Sequence, residues 1–179
     1  MILGPKQLLK LVKSIKLVEN LSERELTDPE GAGFDLRLDE VYEISGKSFL
    51  GVTERHTPRV KLIKEYKDGK TTKMIFKPGS FYLVKIMESV NMPQGLSATI
   101  TPRSTTFRSG LFLRTTNVHP GYSGPLNFGL KNEGPVPVTI EMGARIAHIQ
   151  FHEVAGGGSM YRGQWQGGRV TTTKKEKQV

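Results

Sequence analysis

The 179-residue sequence predicts a mainly β domain, a distorted barrel or jelly roll, with a short N-terminal helix and a flexible C-terminal arm. Two observations carry the prediction. Apolar residues alternate in short runs, with Phe34, Leu36 and Leu38 in one, Met74 and Phe76 in another, and Phe81 and Leu83 in a third. That period of two sets one face of a strand against a core. Between the runs stand Pro78-Gly79, Pro93-Gln94-Gly95, Pro120-Gly121 and Asn132-Glu133-Gly134-Pro135, at the intervals of hairpins and sandwich corners.

Residues 5–18 read as the helix. Pro5 suits its first position, and Leu8, Leu11, Val12 and Ile15 share a face with lysines elsewhere. Residues 45–73 are polar and dense in charge, and are expected to form a hairpin insertion whose pairing the sequence does not fix. Residues 1–155 are expected to fold as the domain. Residues 156–179 form an arm, hinged at Gly156, Gly157 and Gly158 and ending in a basic tail from residue 171 with no means of burying itself. The aromatic island at 161–166 is expected to order against a core or a ligand.

Composition narrows the class. A hydrophobic content of 36% with 24% charged residues suits a soluble globular protein. The chain has no cysteine, which excludes disulfides and the zinc deaminases, whose chemistry requires cysteine ligands. No apolar run approaches a membrane span and no signal peptide is evident, so the cytoplasm is the expected compartment. Net charge is +9, much of it at the two ends. Such a chain attracts polyanions, but no nucleic-acid motif accompanies the charge. A solvated surface is therefore the preferred reading, with nucleic acid not expected as a partner.

Residues 101–132, TPRSTTFRSGLFLRTTNVHPGYSGPLNFGLKN, carry the most chemistry. Arg103, Ser104, Thr105 and Arg108 place guanidinium and hydroxyl donors side by side, as a polyphosphate requires. Gly110, Gly121 and Gly124 leave room for a ligand close to the backbone. His148 and His152 lie four apart on a strand without a third ligand, so a structural reading is preferred to a metal site. Gly69-Lys70-Thr71 lacks the upstream glycine of a P-loop, and Gly156 to Gly158 lack the setting of a dinucleotide fingerprint.

Four motifs in register resemble the dUTPase and dCTP deaminase superfamily, most nearly the archaeal-type dUTPases of the dCTP deaminase-like group. GAGFDLRL at 31–38 is similar to the first motif, the segment beginning at Thr101 to the next, GARIAH at 143–148 to the fourth with His148 in place of glutamine, and YRGQWQG at 161–167 to the carboxy-terminal arm. The resemblance implies a dUTPase-like β-clip fold and a homotrimer with sites between subunits. It implies deoxynucleoside triphosphate as ligand, dUTP and in the second place dCTP, with Mg²⁺ carried by the triphosphate and no direct protein ligand. Arg103, Ser104, Thr105, Thr106, Phe107, Arg108 and Gly110 are the implied phosphate segment. Asn117, Tyr122, Asn127, Phe128 and Gly129 belong to the implied base and sugar site, and Tyr161, Gln164 and Gln166 to the closing arm. Asp35 is either a site residue or a structural carboxylate, and Tyr122 either packs beneath the sugar or sits in the core.

Two positions depart from the family. His119 stands where the water-activating aspartate is usual, and Gly129 where deaminases keep a glutamate. Neutral imidazole accepts a proton near neutrality, so His119 can serve as base. The order of readings is dUTP hydrolysis to dUMP and pyrophosphate with His119 and Asp35 as catalytic residues, then a deoxynucleotide binder without catalysis, then dCTP deaminase.

Overall fold

The chain starts with a helix because Pro5 fixes its first turn and Leu8 gives it something to bury: α1 spans Pro5–Ile15. It ends three residues earlier than the sequence pattern, since Lys16 turns left-handed at φ 53° and its N–H closes on the Val12 carbonyl. The structure is a computed structural model that describes residues 1–177. Residues 178 and 179 of the expected basic tail lie outside the described residues.

After β1 (Val18–Glu19) comes a short helix, α2 (Glu23–Thr27), capped by Ser22, whose hydroxyl accepts from the Glu25 N–H. The first alternating run is β2 (Phe34–Ser45), with Phe34, Leu36, Leu38 and Val41 fully buried. The insertion resolves into β3 (Phe49–Leu50), β4 (Glu54–His56) and β5 (Arg59–Glu65). Here β3 pairs with β4, and β5 returns along β2. Next are β6 (Lys73–Phe76), β7 (Phe81–Asn91), β8 (Leu96–Pro102) and a single helical turn, α3 (Ser104–Arg108). Then follow β9 (Leu111–Arg114), β10 (Ser123–Asn132), β11 (Val138–Glu141) and β12 (Arg145–Glu153). The arm contributes a 3₁₀ turn at Gln166–Gly168 and β13 (Glu176–Lys177).

The main sheet runs β8-β12-β2-β7-β10-β9, with β1 against β7 and β5 against β2. Register shifts in β2 against β5, β7 and β12, and in β10 after Pro125, bend these long strands and curl the sheet. The two ends of the order meet through a bridge between Ala98 and Val118, whose N–H groups donate to each other's carbonyls at 3.0 and 2.8 Å. The Thr115 hydroxyl adds a bond to the Ile100 carbonyl. The result is the nearly closed β barrel that the alternating runs predict. Among the described residues no helix is long and apolar enough to cross a membrane.

One buried charge belongs to the frame. Glu88 on β7 is fully buried and accepts from the Arg37 N–H at 2.8 Å and the Arg37 Nε at 2.7 Å. Burial pushes its carboxyl up, and Arg37 opposes that. Glu88→Ala leaves the Arg37 donors without their acceptor, and is expected to cost about 3–5 kcal/mol in urea unfolding. Glu88→Gln keeps an oxygen for the Arg37 N–H and is expected to cost clearly less.

Candidate functional site

A cavity of about 670 Å³ opens beside β10. Its floor is apolar, made by Leu83 on β7, Ile100 on β8, and Leu126 and Phe128 on β10. Asn117 and His119 reach it from the loop before β10, and Thr57 and Pro58 from the insertion. Tyr122 lies buried at its base, where its hydroxyl donates to the Pro125 carbonyl at 2.6 Å. Burial pushes this phenol up to about 12, so it stays neutral and acts as a packed wall. Tyr122 is thus a core residue that also lines the cavity.

The arm closes the remaining side. It doubles back after Gly157, whose positive φ of 78° suits glycine. The Tyr161 N–H donates to the Pro120 carbonyl, and its ring lies parallel to His119 (8°, centroids 6.2 Å apart) and edge-on to Tyr122. Gln166 clamps the turn below: its Nε2 donates to the Gly121 carbonyl and its Oε1 accepts from the Ser123 N–H. Asn127 Nδ2 donates to the Gly168 carbonyl at 3.1 Å. Gly124 must be glycine, because a Cβ there would stand 2.7 Å from the Gly167 backbone.

Further along, Arg55 donates to Gln164 Oε1, and Trp165 lies under both Arg55 and Arg169. Thr57 and Thr171 join through their hydroxyls at 2.8 Å, and β13 pairs with β4. This corrects the expectation of a tail without burial: Thr172 is buried, and Glu176 is held by Arg169. The insertion supplies the partners, and no local pattern in the tail announces them.

A second cluster forms around Asp35, which is 6% exposed. Arg145 Nη1 donates to its Oδ2 at 2.9 Å, Arg103 pairs with the same oxygen, and His148 Nδ1 meets Oδ1 at 3.0 Å. The Asp35 N–H donates to Glu25, itself buried and paired with Arg24. Since carboxylates only accept, His148 holds its proton on Nδ1. Asp35 does not line the cavity of its own chain, and its oxygens are engaged by these side chains. Its partners are side chains rather than the backbone amides expected of a structural carboxylate.

The predicted residues thus separate. Asn117, His119, Tyr122, Asn127, Phe128 and Tyr161 come together in the cavity. Gln164 and Gln166 hold the arm and do not line it. Ser104, Thr105, Phe107 and Arg108 are exposed on α3 and, with Arg103 before it, contribute nothing to the cavity of their own chain. Thr106 faces inward, donating to the Ile146 carbonyl at 2.8 Å. Gly110 serves a tight backbone approach to Gly134, where a Cβ would meet it at 2.7 Å. At Gly129 a Cβ would stand 2.8 Å from the Phe81 ring and 3.2 Å from Arg114, so Phe81 covers this position. Sequence reasoning missed Glu25, though Ser22 and Glu25 form a capping-box pattern. It also missed the insertion's share of the wall, for which there was no local signal.

Comparison with known proteins follows this geometry. The dCTP deaminase-like family matches residues 2–154. The chain is 33% identical over 144 residues to a probable deoxyuridine 5′-triphosphate nucleotidohydrolase of Methanothermobacter thermautotrophicus, a match covering 79% of this chain and 89% of that one. It is 29% identical over 159 residues to a dUMP-forming dCTP deaminase of Dictyoglomus turgidum, covering 86% and 81%. The crystal structure of 2′-deoxycytidine 5′-triphosphate deaminase from Agrobacterium tumefaciens shares the fold, with a TM-score of 0.63 at 24% identity over 84% of this chain. This chain spans 47% of that one.

Two measurements check the geometry. Burial lowers the His148 pKa from its usual 6.5, with Glu25 opposing and Arg103 assisting. The folded chain therefore binds fewer protons than the unfolded chain below pH 6.5, and stability falls as pH drops through that value. His148→Gln should flatten this acid limb when urea midpoints are compared between about pH 7.5 and about pH 5.5. Gly129→Glu should destabilise, and combining it with Phe81→Ala should recover part of the loss. A double-mutant cycle should read a coupling of about 0.5–3 kcal/mol; strict additivity would mean that the ring does not govern position 129.

Proposed function

The chain belongs to the dCTP deaminase-like family, and from that premise we propose that it binds a pyrimidine deoxynucleoside triphosphate and hydrolyses dUTP to dUMP and pyrophosphate. Its relatives named above, a nucleotide hydrolase and a deaminase, support a place in nucleotide metabolism. The observation that carries the finer reading is the arm seated over an apolar cavity, with Tyr161 and His119 lining it together. A planar base fits such a wall, and main-chain groups of the segment between Gly110 and Tyr122 would hold its edge.

In this reading His119 is the general base. Among the described residues neither of its ring nitrogens is hydrogen-bonded, and the side chain is exposed. It takes a proton from water as the oxygen attacks the α-phosphorus. The bond from that phosphorus to the bridging oxygen breaks, and pyrophosphate leaves. Ser104, Thr105 and Arg108 stabilise charge on the phosphates, and Arg103 joins them only by leaving its pair with Asp35. They do not line the cavity of their own chain, so a second copy has to bring them to it, as the homotrimer implied by the resemblance would. Mg²⁺ enters as the counter-ion of the triphosphate. The residues present do not fit a resident ion, because no cluster of three His, Asp or Glu among the described residues could hold one and Asp35 is occupied. The cytoplasm remains the proposed compartment.

A second reading has a specific observation behind it. Among the described residues no carboxylate lines the cavity, as suits a protein that binds nucleotide without turning it over. Deamination is disfavoured by Gly129 beneath Phe81.

His119 separates the two. With dUTP and Mg²⁺, native protein should release dUMP and pyrophosphate. His119→Phe keeps a ring against Tyr161 but has no base, and should lose about 10²- to 10⁴-fold in turnover while retaining affinity. Tight dUTP binding with no native hydrolysis at any pH would favour the binder. Turnover that survives in His119→Phe would remove this residue as base.

A further inference from the structure

We propose that His148 is a positioning residue: when an oxyanion draws Arg103 away from Asp35, the imidazole takes up a proton in its place. Anion binding beside α3 is thereby coupled to protonation on β12. The inference rests on the nucleotide reading above at one point, that Arg103 serves phosphate. Formal charge around Asp35 is balanced while His148 is neutral. Arg145 lies 2.9 Å from Asp35 and 3.9 Å from Glu25, Arg24 lies 3.0 Å from Glu30 and 3.8 Å from Asp35, and Arg103 closes on Asp35. Three guanidinium groups thus meet three carboxylates, drawn from α2 and the loop after it, β2, β12 and the residue before α3. On β8 the residue opposite His148 is Thr101, which adds no charge.

Arg103 is the member able to leave. Arg24 and Arg145 each meet more than one acid, whereas Arg103 has Asp35 as its one carboxylate among the described residues. Its backbone is fixed by the bond from its N–H to the Ile146 carbonyl, so only the side chain has to turn, toward the exposed Ser104 and Thr105. An oxyanion with two or more negative charges outbids one shared carboxylate for a guanidinium fork. Once Arg103 turns, one negative charge is left in excess around Asp35, where burial limits screening by water. His148 restores the balance. Its Nδ1 already stands 3.0 Å from Oδ1, its Nε2 makes no hydrogen bond among the described residues, and the side chain is 21% exposed. The proton passes from water to Nε2, and no covalent bond between heavy atoms changes. Burial holds His148 below its usual 6.5, Glu25 and Glu30 oppose, and Arg103 adds to the lowering, so its departure favours the imidazolium. The coupling is reciprocal: acid that charges His148 loosens Arg103 and strengthens anion binding.

NMR titration of the His148 ring in full-length protein tests this, with the resonance assigned by its loss in His148→Gln. Sulfate is the probe, because phosphate itself titrates near about pH 6; chloride at equal ionic strength is the control. Saturating sulfate should raise the His148 pKa by about one pH unit. Arg103→Gln should raise it similarly without sulfate, and sulfate should then move it no further. Native sulfate affinity should gain about three- to tenfold between about pH 7.5 and about pH 5.5. His148→Gln keeps an amide donor for Asp35 but takes no proton, so its sulfate affinity should stay flat over that range. A gain that persists in His148→Gln would overturn the coupling, as would a sulfate response of His148 that survives Arg103→Gln. An unmoved His148 pKa in Arg103→Gln, with sulfate binding lost in that variant, would overturn the coupling and keep the phosphate reading of Arg103. A His148 pKa that rises in Arg103→Gln while the native value ignores sulfate would overturn the proposal by removing Arg103 from the phosphate site.

Discussion

The Asp35 carboxylate is the constraint on which the functional surface depends. A charge taken so far from water survives only with close partners, and here they come from three separate parts of the chain. Arg103 precedes α3, Arg145 and His148 stand on β12, and Arg24 of α2 lies 3.8 Å from Oδ2. Pairing at one point therefore fixes β2, β12 and the approach to α3 against one another. The Arg103 N–H and the Thr106 hydroxyl both donate to the Ile146 carbonyl, which completes the anchoring of that turn. Ser104, Thr105 and Arg108 point outward because their neighbours are held inward.

The fold was legible because its signals are local. The alternation at Phe34, Leu36 and Leu38 needs no knowledge of the partner strand, and all three residues are buried in β2. The Pro-Gly turns mark where strands end. What the sequence could not convey is pairing over distance. The insertion at 45–73 carries no strong apolar period, since much of it faces solvent or the arm rather than the core, and its partners are β2 and the tail, reached across the whole chain. The aromatic island at 161–166 was rightly expected to order against something. Its partners are the insertion, through Arg55, and the turn before β10, through Pro120 and Gly121, and neither contact is announced by a local pattern.

The sequence named candidate residues and not their places. Motif similarity collected Arg103, Asp35, His119 and Tyr161 as one set, yet a single chain holds them in two separate environments. Asp35 and Arg103 neutralise each other in one, while His119 and Tyr161 stack in the other. A motif records which residue types a chemistry needs, and it does not record which subunit brings them.

His119 and Gly129 gain meaning from one another once the cavity is known. With neither position acidic, the wall carries no carboxylate among the described residues, and Phe81 fills the space above Gly129 with an apolar ring. A carboxylate about 4 Å from a phosphate oxygen opposes binding by about 1 kcal/mol in water and by more in a closed site. The cavity is therefore electrostatically easier for a triphosphate to enter than one bearing either acid. The same change removes a strong acceptor for the proton of attacking water. In the proposed hydrolysis, an imidazole stacked on the arm would answer both demands only while neutral: it can then accept a proton, and it adds no charge to hold pyrophosphate back. Once protonated it holds the leaving group more tightly. In that proposed reaction, arm opening would then separate product from protein, beginning at the Tyr161–His119 stack.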